Sequence, residues 1–175
     1  MSVPGLTEVT QFLTFHLDRE VFAIDISKIK EVLEFSAVTK IPRTPDFMCG
    51  VINLRGSVVP VVDLRLKFGM SKSEKTVNTC IIIIDVIQEE GTTVIGAMAD
   101  SVKEVVELDP NQIEPAPKIG TGLRTDFIRG MGKQGNHFVI LLDTDKVFSA
   151  AELSLLQDAG KAGAAAKPGP SEKAA

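Results

Sequence analysis

Several residues in this chain have types that chemistry uses, and their spacing decides what they can do. Gly130-Met131-Gly132-Lys133-Gln134-Gly135 spells G-x-G-x-x-G. That pattern holds a dinucleotide only when its last glycine opens a helix whose N-terminus faces the pyrophosphate. Here the apolar run 138–142 follows and reads as a strand, so these glycines serve a hairpin turn. His16 and His137 lie far apart, one on the polar side of a strand and one beside a turn. No Ser-His-Asp or Cys-His order can be built from them, and no paired acids stand in a glycosidase or metal context. Cys49 and Cys80 have neither disulfide nor metal-ligand spacing and read as buried hydrophobes. Asp63 and Asp143 follow matching strands, the mark of caps rather than of catalytic acids. The expectation is therefore no catalytic residue, no metal and no cofactor.

Arg55 is a different kind of candidate. It sits at the tip of a hairpin within residues 50–69, where the apolar runs 51–54 and 58–62 flank Arg55-Gly56 and the turn needs glycine for a positive φ. Pro60 cannot donate to a sheet ladder, so the second run is expected at a sheet edge or at a bulge. Asp63 then caps a short helical turn over 64–68 that Gly69 closes. Arg55 reads either as a solvated turn residue or as a contact for a partner.

Composition sets the outer limits. The chain has 175 residues, 44% of them hydrophobic, and no apolar run approaches the ~20 residues of a membrane span. Residues 1–20 lack a basic start followed by an apolar core, so no secretory signal is read and the cytoplasm is the expected compartment. A net charge of −4 without clustered Lys and Arg argues against nucleic acid as a partner.

The elements that must position Arg55 are short strands, expected at 12–17, 21–24, 29–35, 51–54, 58–62, 80–87, 94–99, 102–108, 128–132 and 138–142. A long connection bearing Pro and Gly covers 110–122. The second half repeats the first. Residues 21–35 laid over 94–108 match Val21/Val94, Lys30/Lys103, Glu31/Glu104, Val32/Val105 and Glu34/Glu107. Residues 46–68 laid over 126–148 match Asp46/Asp126, Phe47/Phe127, Gly50/Gly130, Val59/Val139, Asp63/Asp143 and Phe68/Phe148. Each half is thus one unit of about five short strands, a size at which a sheet closes into a small barrel, with apolar residues packed between the units. The repeat also isolates what the fold does not require: Arg55-Gly56 aligns with Gly135-Asn136, and Pro60 with Ile140.

The segment Gly50-Val51-Ile52-Asn53-Leu54-Arg55-Gly56-Ser57-Val58-Val59-Pro60-Val61-Val62-Asp63-Leu64-Arg65 closely resembles the signature of the CheW family, the coupling proteins of bacterial chemotaxis. Residues 12–17, Ile24-Asp25-Ile26, Val32, Thr44-Pro45 and 112–117 fit as well, so the resemblance spans roughly 11–158. It implies two five-stranded SH3-like barrel lobes, no catalysis, and an adaptor between chemoreceptor cytoplasmic tips and the regulatory domain of the histidine kinase CheA. It places Ile29, Glu31, Val32 and Arg55 in a receptor-facing groove between the lobes, and Ile113, Glu114 and Ile119 on a kinase-facing segment. An ordinary strand points Ile29 and Val32 to opposite faces, so at most one is fully buried in its own barrel.

The expected layout is a frayed 1–10, a domain over 11–158 and a disordered tail over 159–175 that lacks large apolar residues. Within the domain the lobes are expected at roughly 12–69 and 78–148, with strand crossing between them left open. A C-terminal helix follows at about 150–158, opened by the capping box Ser149-Ala150-Ala151-Glu152. The free protein is expected to be a monomer recruited to membrane receptor arrays without inserting. Two alternatives stay open: a CheW-like adaptor in another receptor-kinase pathway, and a small enzyme with a pocket between the lobes.

Overall fold

The computed structural model describes residues 8–71, 74–88, 91–115, 127–149 and 151–158. Among the described residues there are eleven strands: β1 (Thr10–Leu17), β2 (Glu20–Asp25), β3 (Ile29–Glu34), β4 (Met48–Leu54), β5 (Ser57–Asp63), β6 (Cys80–Gln88), β7 (Gly91–Ala99), β8 (Ser101–Leu108), β9 (Ile113–Glu114), β10 (Ile128–Gln134) and β11 (His137–Leu142). The α-helices among the described residues are α1 (Leu64–Lys67) and α2, over residues 151–158.

The strands form two sheets, in the orders β8-β1-β2-β11-β10-β9 and β3-β6-β7-β5-β4. Each sheet draws on both halves of the chain, because each half gives its first hairpin, β1–β2 or β6–β7, to the other half's sheet. The repeat reaches down to register. Met48 pairs with Val62 and Gly50 with Val61, leaving Cys49 as an extra residue, while Ile128 pairs with Leu142 and Gly130 with Leu141, leaving Arg129 extra. In the same way Lys30 is extra in β3 against β6, and Lys103 is extra in β8 against β1. The matched identity Lys30/Lys103 thus sits at matched β-bulges, and the matched Gly50/Gly130 directly follows another pair of them.

The isoleucine run of β6 shows why the sheets need each other. Ile81 and Ile83 pack in a core with Ile52, Val59, Val61 and Met98, all from the second sheet. Ile82 and Ile84 point the other way, into a seam with Leu13, Phe15, Phe22 and Ile24 of the first sheet. A strand buried on both faces loses its polar alternation, which is how the run reads. Phe15, Phe22, Phe68 and Phe127 stack in sequence along the seam, at centroid separations of 6.0, 5.7 and 4.8 Å. Polar ties join the sheets at its margins: Asp100 accepts from the Asp18 N–H (2.7 Å) and from the Arg65 guanidinium (2.6 Å), and Lys28 pairs with Asp145 at 3.2 Å.

Local chemistry fixes the ends of the elements. Asp63 is buried and accepts from the N–H groups of Arg65 (2.9 Å) and Leu66 (3.4 Å), the expected cap of α1. Asp143 accepts from the Asp145 N–H (3.1 Å) and holds a turn rather than a helix. Ser149 and Glu152 exchange hydrogen bonds at 2.8 and 3.1 Å, completing the capping box of α2, whose Leu153 and Leu156 enter the seam. Gly50 has φ +145°, and a Cβ there would lie 2.2 Å from the Thr39 carbonyl oxygen, which accepts from Val51 N–H. Burial, ahead of the nearby Asp100 carboxylate, pushes the Cys80 thiol above its ordinary pKa.

One expectation needs correction. Pro60 marks neither an edge strand nor a bulge in its own strand, since β5 lies between β7 and β4 and the register shift of the β4–β5 pair falls at Cys49 of β4.

Candidate functional site

The β4–β5 turn gives Arg55 φ +50° and Gly56 φ +88°, so both central residues are left-handed. That is the type I′ geometry, whose twist matches that of the flanking strands. Asn53 Oδ1 accepts from the Gly56 N–H at 2.9 Å and stiffens the tip. From it the Arg55 guanidinium reaches Glu31 on β3 through both nitrogens, Nη1 to Oε1 at 3.4 Å and Nη2 to Oε2. The hydrogen bond to Glu31, then its charge, hold the Arg55 pKa above the ordinary arginine value. Arg55 is 71% exposed and Glu31 27%, so the pair displays a charged, planar fork at the surface.

Beneath the pair runs a groove of about 970 Å³. Val58, Val59 and Pro60 form one wall, Thr92, Thr93 and Val94 of β7 the other, and Leu156 and Gln157 of α2 close one end. Gln157 Nε2 donates to Thr93 Oγ1 at 2.8 Å, which fastens the helix to that wall. Lys30, the bulged residue of β3, stands at the rim with its ammonium 4.0 Å from Asp85. Among the described residues no group of three or more His, Cys, Asp and Glu side chains is placed to hold a metal ion. The arrangement can bind: it has an apolar wall, a facing wall of two threonines and a valine, an acid and a base.

The four receptor candidates do not share this groove. Paired strand residues lie on one face. Ile29 pairs with Ile84 and Val32 with Ile82, both seam residues, while Glu31 pairs with Ile83, a residue of the second sheet's own core. The bulge at Lys30 adds one residue between Ile29 and Glu31, so Ile29 and Val32 fall on the same face, not on opposite ones. Ile29 is half-buried against the seam core, and Val32, 42% exposed, borders a shallow depression between the sheets together with Val77 and Val102. Glu31 and Arg55 alone of the four come together.

Of the kinase-facing candidates, Ile113 is 3% exposed and packs with Phe12, Leu108 and Leu141 in the core of the first sheet. Glu114 is exposed on β9, at the end of the first sheet, opposite Met131 of β10. Ile119 lies outside the described residues. The contribution of α2 and of Thr92 and Thr93 to the groove was not read from sequence. Their only signal was the departure of Pro60 from Ile140, which marks the place where the second sheet is built differently.

A family model described as the CheW-like domain matches residues 11–152. The chain belongs to the CheW family. It is 38% identical over 157 residues to the chemotaxis protein CheW of Klebsiella aerogenes, covering 90% of this chain and 92% of that one. To the chemotaxis protein CheW of Bacillus subtilis it is 32% identical over 138 residues, covering 78% and 85%. The crystal structure of the scaffolding protein TtCheW from Thermoanaerobacter tengcongensis superposes with a TM-score of 0.73 at 34% identity, covering 82% of this chain and 94% of that one. The mainly β architecture with two SH3-like lobes read from the sequence is the fold of this CheW-family chain. No helix among its described residues is long and apolar enough to cross a membrane.

Proposed function

We propose that the chain is a non-catalytic adaptor of bacterial chemotaxis, joining the cytoplasmic tips of chemoreceptors to the regulatory domain of the histidine kinase CheA. The observation that carries this reading is the Arg55–Glu31 fork on the rim of a groove with one apolar wall. Receptor tips are helical hairpins, and such a helix presents an apolar stripe flanked by polar residues. The wall of Val58, Val59 and Pro60 takes the stripe, and the fork fixes register by pairing with the polar flank. Ile29 supports the strand that carries Glu31, and Val32 extends an apolar contact towards the seam.

The kinase is assigned to the other sheet, at its β9 edge. Glu114 on β9, with Ile119 following it, forms the kinase-facing segment, and Ile113 anchors that segment in the core beneath. Two separated surfaces let one small protein hold two partners at once. It acts in the cytoplasm, recruited to receptor arrays through its partners, and is a monomer when free.

The test is calorimetric titration of Arg55→Glu against a receptor cytoplasmic fragment and, separately, against the CheA regulatory domain. Loss of the first interaction with retention of the second is expected. Unchanged receptor affinity in the folded variant refutes the assignment.

A further inference from the structure

The two sheets part company at position 60. In β11, Ile140 pairs with Phe22 of β2 and Leu141 with Ala23. In β5 the parallel ladder to β7 starts one residue later, with Val61 opposite Gly96, and position 60 has no partner on β7. The direction of the backbone groups accounts for this. Asp63 N–H donates to the Phe47 carbonyl (2.7 Å) and Asp143 N–H to the Phe127 carbonyl (2.8 Å), so these positions face the β4 and β10 sides. Successive residues of a strand face alternately, which turns the nitrogens of residues 60 and 140 the other way, towards β7 and β2. Ile140 has a proton to donate there; Pro60 has none.

The cavities differ at the same place. Where β5 and β7 separate ahead of Val61, the groove beneath Arg55 measures about 970 Å³, with Pro60 in its wall. The matching hollow of the first sheet, lined by Val21, Phe138 and Ile140, measures about 520 Å³. We infer that Pro60 is a positioning residue: by ending the parallel ladder it holds β5 and β7 apart and sets the width of the groove that admits the receptor helix. This rests on the receptor reading of that groove. Pro60 acts on the partner only through the shape it imposes on the strands, and a residue with an N–H at this position lets the strands close as they do around Ile140.

The experiment uses the full chain with Pro60→Ile, which copies the first sheet, and Pro60→Ala, which restores the N–H without bulk and carries the test if the first variant does not fold. Amide hydrogen exchange followed by NMR is expected to find the new amide at position 60 protected to the degree seen at Ile140. Affinity for a receptor cytoplasmic fragment is expected to fall at least about tenfold, with affinity for the CheA regulatory domain unchanged. A position that only maintained the fold would weaken both interactions together. Rapid exchange at position 60 overturns the inference, because the ladder has not extended. A protected amide with undiminished receptor affinity also overturns it, and Arg55→Glu measured alongside locates the fault. If Arg55→Glu loses the receptor, groove width is irrelevant to binding; if it does not, the receptor reading itself has failed.

Discussion

Leu153→Ala gives a quantitative test of how α2 is held. Leu153 is 1% exposed and lies in the seam core with residues from both sheets. Shortening leucine to alanine removes roughly three methylene equivalents at about 0.8 kcal/mol each, or about 2.4 kcal/mol of transfer free energy. The void left behind adds to this wherever the surroundings relax incompletely, so a total of about 3 kcal/mol is expected. In a chain of this size that corresponds to a fall of roughly 6–12 °C in Tm. Leu155, on the same helix but 47% exposed, is the internal control, and Leu155→Ala should cost under about 0.5 kcal/mol. Thermal and urea unfolding followed by circular dichroism measures both. Equal, small effects at 153 and 155 would refute the docking of α2 into the seam, and with it the helical wall of the groove.

Acid should loosen the same helix. Burial raises the Glu152 pKa, but the Ser149 N–H and then Lys67 outweigh it and bring the carboxyl below its ordinary 4.5. A carboxyl with a lower pKa folded than unfolded adds stability above about pH 4.5 and loses it as pH falls through the lower folded value. Glu152→Gln should therefore flatten the stability profile below about pH 4.5, and an unchanged profile would remove Glu152 from the account. At Gly50 a methyl group has no space, because a Cβ would stand 2.2 Å from the Thr39 oxygen at a φ of +145°. Gly50→Ala should cost more than the ~1 kcal/mol of an ordinary glycine substitution, since both clash and backbone strain apply; unfolding by urea checks it, and a neutral result would be incompatible with the Thr39–Val51 bridge.

Much of the fold was legible because burial leaves an imprint on residue type. The β6 isoleucines, the turn at Arg55-Gly56 and the capping box at Ser149 each state their local structure directly. The exchange of hairpins between sheets was not legible: β6 is apolar on both faces and β1 is buried on both, with Leu13 and Phe15 in the seam and Phe12 in the first sheet's own core, and such a strand satisfies its burial equally well in either sheet. The bulge at Lys30 was hidden for a related reason. A bulge changes facing without changing composition, so Ile29 and Val32 read as opposed when they share a face. The burial of Ile113 was hidden because its neighbouring prolines suggested an exposed connector, whereas the turn over Pro110–Gln112 returns the chain to the sheet. Pro60 carried a true signal with a wrong location. Its missing donor belongs to one flank of an interior strand, not to the rim of a sheet.

The most direct test of the adaptor account is CheA autophosphorylation in receptor-containing membranes reconstituted with the wild-type chain or with Arg55→Glu. Arg55 is largely exposed, so the variant should melt within a few degrees of wild type. Receptor-dependent activation should disappear while binding of the CheA regulatory domain persists. Full activation by a folded Arg55→Glu protein would contradict the account.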